Sequence, residues 1–144
     1  MTTKRWVLVA LVAGPIALAG CKDKAKEMST ADHLLGRQHR NWAQARETLR
    51  SAEPDTELVR AAGGLLGRTV RRMKKDYAGP NKEEAIAKLE QLAGRYDAEI
   101  APKLTMSAPR AVLVAGVTMD ELRAAFDKLD EEYRAFEALT TPKE

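Results

Sequence analysis

The stretch "STADHLLGRQHRNWAQARETLRSAEPD", residues 29 to 55, decides the fold. Ser29-Thr30-Ala31-Asp32 resembles a capping box, in which a hydroxyl oxygen and a carboxylate satisfy the first amide donors of a helix. Beyond it, Ala31, Leu35, Gln38, Trp42, Ala45, Leu49 and Ala52 recur at intervals of four and three. Those intervals gather them on one helical face. The pattern ends near Pro54, which can open a second helix, while Asp55 and Glu57 complement the positive end of that helix's dipole.

Three more stripes follow. Val59, Ala62, Leu66, Val70, Met73 and Tyr77 form the second, stopped by "AGPN", where Gly79 suits a C-terminal cap and Pro80 cannot continue the helix. The third runs from Lys82 to Ile100, with Ile86, Leu89, Ala93, Tyr96 and Ile100 inward, until Pro102. Thr118-Met119-Asp120-Glu121 is a second capping box, opening a stripe of Met119, Leu122, Phe126, Leu129, Tyr133 and Phe136. Short turns between the first three stripes predict an all-α fold, an antiparallel four-helix bundle over residues 29–144. The connection before the last helix is longer and contains "AVLVAGV", residues 111 to 117. A strand, a buried helical turn or a flap would each suit it. The expectation is a short helix or buried crossover begun near Ser107 and Pro109, whose apolar run must find cover.

Upstream of the domain lies a leader. Lys4 and Arg5 precede the uncharged run Trp6 to Ala17, 12 residues long, against the ~20 that a membrane-spanning helix needs. The zones are those of a secretory signal. Leu18-Ala19-Gly20-Cys21 then resembles the lipobox of bacterial lipoproteins. That resemblance implies cleavage between Gly20 and Cys21, a diacylglyceryl group on the thiol and a membrane anchor. Among such lipoproteins, aspartate directly after the cysteine favours inner-membrane retention. Lys22 holds that place here, so the outer membrane facing the periplasm is the expected address. Residues 22 to 28, "KDKAKEM", are a charged tether with a reach of about 25 Å when extended. The partition is thus 1–20 signal peptide, 21–28 lipidated cysteine and tether, and 29–144 domain.

Charge excludes one class of partner. Residues 22 to 80 carry 13 basic and 8 acidic side chains, and residues 81 to 144 carry 9 and 13, leaving the exported chain near +1. So small a net charge is poor equipment for nucleic acid.

The candidate chemistry is sparse. "GGLLGRT", residues 63 to 69, departs from a phosphate-binding loop, with alanine at 62 for glycine and Arg68 for lysine. Close helix packing explains its glycines better. His33 and His39 are the two histidines, and six residues apart on one helix they face different ways. No metal or cofactor site is expected, and surface or capping roles suit both. Glu83-Glu84 and Asp130-Glu131-Glu132 read as solvated carboxylates, with Asp130–Arg134 and Lys128–Glu132 as partners one turn apart. With no nucleophile set beside a base, no enzymatic activity is expected. Arg68, Arg71, Arg72, Lys74 and Lys75 make a basic run that could complement its own helix dipole, pair with the acidic helices, or meet anionic headgroups or an acidic partner.

The expected function is a membrane-anchored envelope lipoprotein, a binding or structural module for a protein or cell-wall partner. Its site would be the basic run or the apolar 111–117 segment. The alternative is a carrier of haem, metal or an apolar ligand between helices, with Gln38 as its inward polar residue.

Overall fold

A computed structural model describes residues 29–143. The expected signal peptide with its cleavage site at Gly20 and Cys21, and the expected tether, lie outside the described residues. Helix α1 spans Thr30–Arg50, α2 Thr56–Gly64, α3 Leu66–Asp76, α4 Lys82–Glu99 and α5 Met119–Thr140. A 3-10 turn, Ala101–Lys103, and strands β1 Leu104–Ser107 and β2 Arg110–Leu113 separate α4 from α5. The described residues are all-α apart from this hairpin.

Three of the five described helices, α1, α2 and α5, begin at a side-chain cap. Ser29 Oγ accepts from Asp32 N–H, Asp55 accepts from Glu57 N–H, and Thr118 and Glu121 form a complete capping box. The apolar stripes then meet. Trp42, Tyr133, Phe126, Phe136, Leu66, Met73 and Leu89 are among the largest fully buried side chains. α1 packs on α2, α3 and α5, and α4 packs on α3 and α5.

Side-chain bonds fix which ends meet. Asp76, closing α3, accepts Ala31 N–H at the start of α1. Asn81, ahead of α4, donates to the Leu139 carbonyl near the end of α5. Arg123, in the first turns of α5, donates to the Leu49 carbonyl at the end of α1. The start of α1 therefore shares one end of the molecule with the end of α3. The start of α2 shares the other end with the hairpin, where Thr56 and Glu57 bond Ala111.

Three expectations require correction. Residues 104–113 form an antiparallel hairpin, with Leu104 opposite Leu113 and Met106 opposite Ala111, instead of a short helix or buried crossover. Alternating side chains before Ala108-Pro109 favour a strand, and of residues 111–117 only Ala111 is buried. The second stripe is carried by two helices, broken at Leu65 behind Gly63-Gly64, since consecutive glycines weaken a helix. Gly63 admits a side chain, not a neighbouring backbone: a Cβ there would fall 1.9 Å from Tyr96 Cζ. Gly79 serves the same end, facing the Tyr77 ring, while the left-handed residue of that turn is Asn81, with φ 54°.

Candidate functional site

Three polar or exposed features stand out, and they divide into one internal brace and two surfaces. The brace joins α1 to α5. Asp130 is 5% exposed and accepts from Trp42 Nε1 at 3.0 Å and from Arg46 Nε at 2.9 Å. The Trp42 ring lies between Tyr133 and Phe126, with centroids 4.3 and 4.8 Å away. Burial works to raise the Asp130 pKa, but the Arg46 and Trp42 hydrogen bonds and the Arg46 and Arg134 charges outweigh it and hold the carboxyl below its usual range. Asp130 is thus no solvated carboxylate. Arg134 is a secondary contact at 3.4 Å, and Glu132 pairs with Arg95 of α4, not with Lys128.

His39 also departs from a surface role. Its Nδ1 lies 2.8 Å from Tyr133 Oη and its Nε2 3.3 Å from Thr140 Oγ1. Burial lowers its pKa, against an opposing pull from Glu137. His33 is exposed. Gln38 is buried and donates to the Ala62 carbonyl at 2.9 Å, with Thr69 Oγ1 at its other end. It ties α1 to α2 and α3, which leaves a carrier without its polar handle. Glu83 and Glu84 are exposed in the first turn of α4, where they complement its dipole. Asp130 turns inward, Glu132 turns toward α4 and Glu131 stays exposed, so the three carboxylates do not converge. Among the described residues, no three His, Cys, Asp or Glu side chains gather to hold a metal ion, and no helix is long and apolar enough to cross a membrane.

The first surface is basic. Leu66, Thr69, Val70 and Met73 of α3 are buried, which turns Arg68, Arg71 and Lys75 to solvent. With Arg72 they line one side of a groove whose other side is Thr30 and Leu34 of α1. Lys74 lies apart from it, paired with Glu90 of α4 at 2.8 Å. Arg72 faces Asp76 at 3.8 Å. Arg68, Arg71 and Lys75 form no ion pair with a described residue.

The second surface is the hairpin. Ala111 N–H donates to Glu57 Oε2 and its carbonyl accepts from Thr56 Oγ1. The bond from Ala111, with that from Arg60 ahead of it, pulls the Glu57 pKa down to about 2. Both Ala111 backbone groups thus leave the ladder. In an antiparallel pair the facing residue must behave likewise, so Met106 N–H and C=O point outward from β1, with no partner among the described residues. Beside that edge lies a groove lined by Gly63, Gly64, Tyr96, Ala101 and Leu104, with the charged Arg60 and Asp97 also lining it. Among the described residues, Met106, 58% exposed, and Val112, 38% exposed, are the large apolar side chains left in solvent.

Sequence reasoning missed Met106 and Arg46. Leu-Thr-Met-Ser before Ala-Pro carries the two-residue alternation of a strand, which the apolar Ala-Val-Leu after it does not repeat, and Arg46 sits one turn beyond Trp42 on the rim of its stripe. No family model, no curated protein and no solved structure matches this chain.

Proposed function

We propose that this chain is a lipid-anchored lipoprotein of the bacterial envelope. Its domain is an antiparallel four-helix bundle that offers the hairpin end to a protein partner. Cys21 carries the anchor, and the address is the outer membrane facing the periplasm. The start of α1 is the end nearest the anchor. Along the 21 residues of α1 the hairpin lies about 30 Å farther out.

The observation that carries the partner reading is the outward backbone of Met106 beside the Tyr96 groove. An unpaired strand edge accepts an extended segment as a further strand, main-chain bonds giving affinity and the adjacent groove selecting a side chain. The partner contributes such a segment, with an apolar residue for the groove.

Two experiments test this reading. Labelled palmitate in the native host should mark the chain, and Cys21→Ser should abolish the label; an unlabelled wild type sinks the anchor. A photo-crosslinking residue at Asp97, which lines the groove, should join a single extended segment of one envelope protein. Met106→Pro removes the outward donor and leaves the ladder bonds, whereas Met106→Ala keeps that donor. Loss of the crosslink in the proline variant alone supports strand addition. Equal crosslinking in both variants removes it.

A further inference from the structure

We infer that the groove between α1 and α3 is a docking site for anionic phospholipid headgroups of the membrane that holds the anchor. The inference rests on the lipoprotein reading and adds to it a second, non-covalent membrane contact that orients the domain.

Position comes first. Thr30 is both the first residue of α1 and part of the groove wall, so the described residues begin at the groove's rim. Asp76 makes this a fixed relation: one oxygen accepts Ala31 N–H at 3.0 Å while the other faces Arg72. The end of α3 is thereby held at the point where the chain leaves for the anchor. A tether with a reach of about 25 Å keeps that end near the bilayer.

Charge comes second. Arg68, Arg71 and Lys75 recur at three and four residues, one face of one helix. The core-facing side of α3 buries Leu66, Thr69, Val70 and Met73, so these cations cannot turn inward. No acidic side chain lines the groove. Two described carboxylates stand nearby: Asp76 already caps α1 and faces Arg72, and Asp32, in the first turn of α1, accepts from the Ser29 hydroxyl. Some cations elsewhere are paired, Lys74 with Glu90, Arg46 with Asp130, Arg95 with Glu99 and Arg110 with Asp55, and others such as Arg37, Lys88 and Lys128 stand singly; what sets this groove apart is three unpaired cations gathered on one helical face. Cations left unpaired beside the anchor point match a negatively charged surface. Each contributes about fivefold in partitioning near anionic lipid. The tether, with Lys22, Lys24 and Lys26 against Asp23 and Glu27, adds in the same sense. Leu34 at the groove wall, half-buried, supplies apolar contact at the level of the headgroups.

The test couples the chain from Cys21 onward, through that thiol, to maleimide lipid in vesicles. One set is phosphatidylcholine alone and the other contains phosphatidylglycerol. Amine acetylation read by mass spectrometry should show Lys75 protected on the anionic vesicles and free on the neutral ones, with Lys88 and Lys128 equal on both. Arg68→Gln with Arg71→Gln should cut the docking equilibrium constant about 25-fold at two cations removed, and Arg68→Lys with Arg71→Lys should restore it. Equal Lys75 reactivity on both vesicles overturns the inference, as does equal protection on both, which would be crowding by the tether. Protection on neutral vesicles by added inorganic phosphate would assign the groove to a small free anion and overturn the membrane assignment. Because the coupling supplies the anchor chemically, these outcomes are independent of whether the native thiol is acylated. Failure of acylation shows separately in the palmitate label.

Discussion

Asp130 holds two donors, and one of them, the Trp42 N–H, has no alternative acceptor. Without its carboxylate, the Trp42 N–H would lie buried and unsatisfied, and Arg46 would keep only Glu137, at 3.2 Å. Removing one partner of a buried pair costs about 3–5 kcal/mol. The partial exposure of Arg46 places Asp130→Ala near the low end, about 3 kcal/mol. Urea unfolding followed by Trp42 fluorescence should read that loss, while Asp127→Ala, on the exposed side of the same helix, should change little. His39 responds to pH in the same region. Its folded pKa lies below the ordinary value of 6.5, because burial disfavours the cation next to Tyr133 and Phe136, although Glu137 favours it and Arg46 stands behind Asp130 and Glu137. The unfolded chain therefore takes up a proton first, and stability present above pH 6.5 is lost as pH falls below it. Asp130, with its pKa depressed, adds a further loss only below its ordinary 3.8. Unfolding free energy should decline from pH 7.5 to 5.5, and His39→Gln should flatten that decline.

At the scale of elements, the two glycines ending α2 should respond oppositely to the same change. A Cβ at Gly63 meets the Tyr96 ring, whose hydroxyl is committed to the Val59 carbonyl at 2.9 Å and cannot swing away freely. Gly63→Ala should destabilise by about 1–3 kcal/mol through overpacking. Gly64 has open space around it, so Gly64→Ala should stabilise by up to about 1 kcal/mol, the helix preference of alanine over glycine. Thermal denaturation of the two variants gives the sign directly. These glycines also mark where the sequence stops being legible. All but Ala52 of the first stripe are buried, and every second-stripe residue is, because spacing alone forces them to one face. Spacing carries no information on what crosses a helix from outside, so Tyr96 entering at Gly63 was invisible. Asp130 was misread for a related reason. Its i+4 arginine is local and readable, whereas Trp42 and Arg46 lie 88 and 84 residues away. The first strand was readable in its alternation, but the valine run suited a buried segment equally well, and only the bonds from Thr56 and Glu57 decide which edge stays free.

Over the whole molecule, the start of α1 and the hairpin lie at opposite ends, so changing the tether should affect the basic groove and not the hairpin. Docking of the basic groove is an intramolecular event once the anchor is in place. Its strength depends on effective concentration, which falls roughly as the −3/2 power of linker length once the linker exceeds the span. Inserting ten Gly/Ser residues between Met28 and Ser29 lengthens a seven-residue tether to seventeen, a dilution of about fourfold. On anionic vesicles, protection of Lys75 should weaken by that factor. The crosslink from Asp97 to the hairpin's partner should keep its yield or gain, because the distal end then sweeps a larger volume. An insertion that abolished the crosslink while sparing Lys75 protection would place the partner against the membrane-proximal end, and the assignment of the two ends would have to be exchanged.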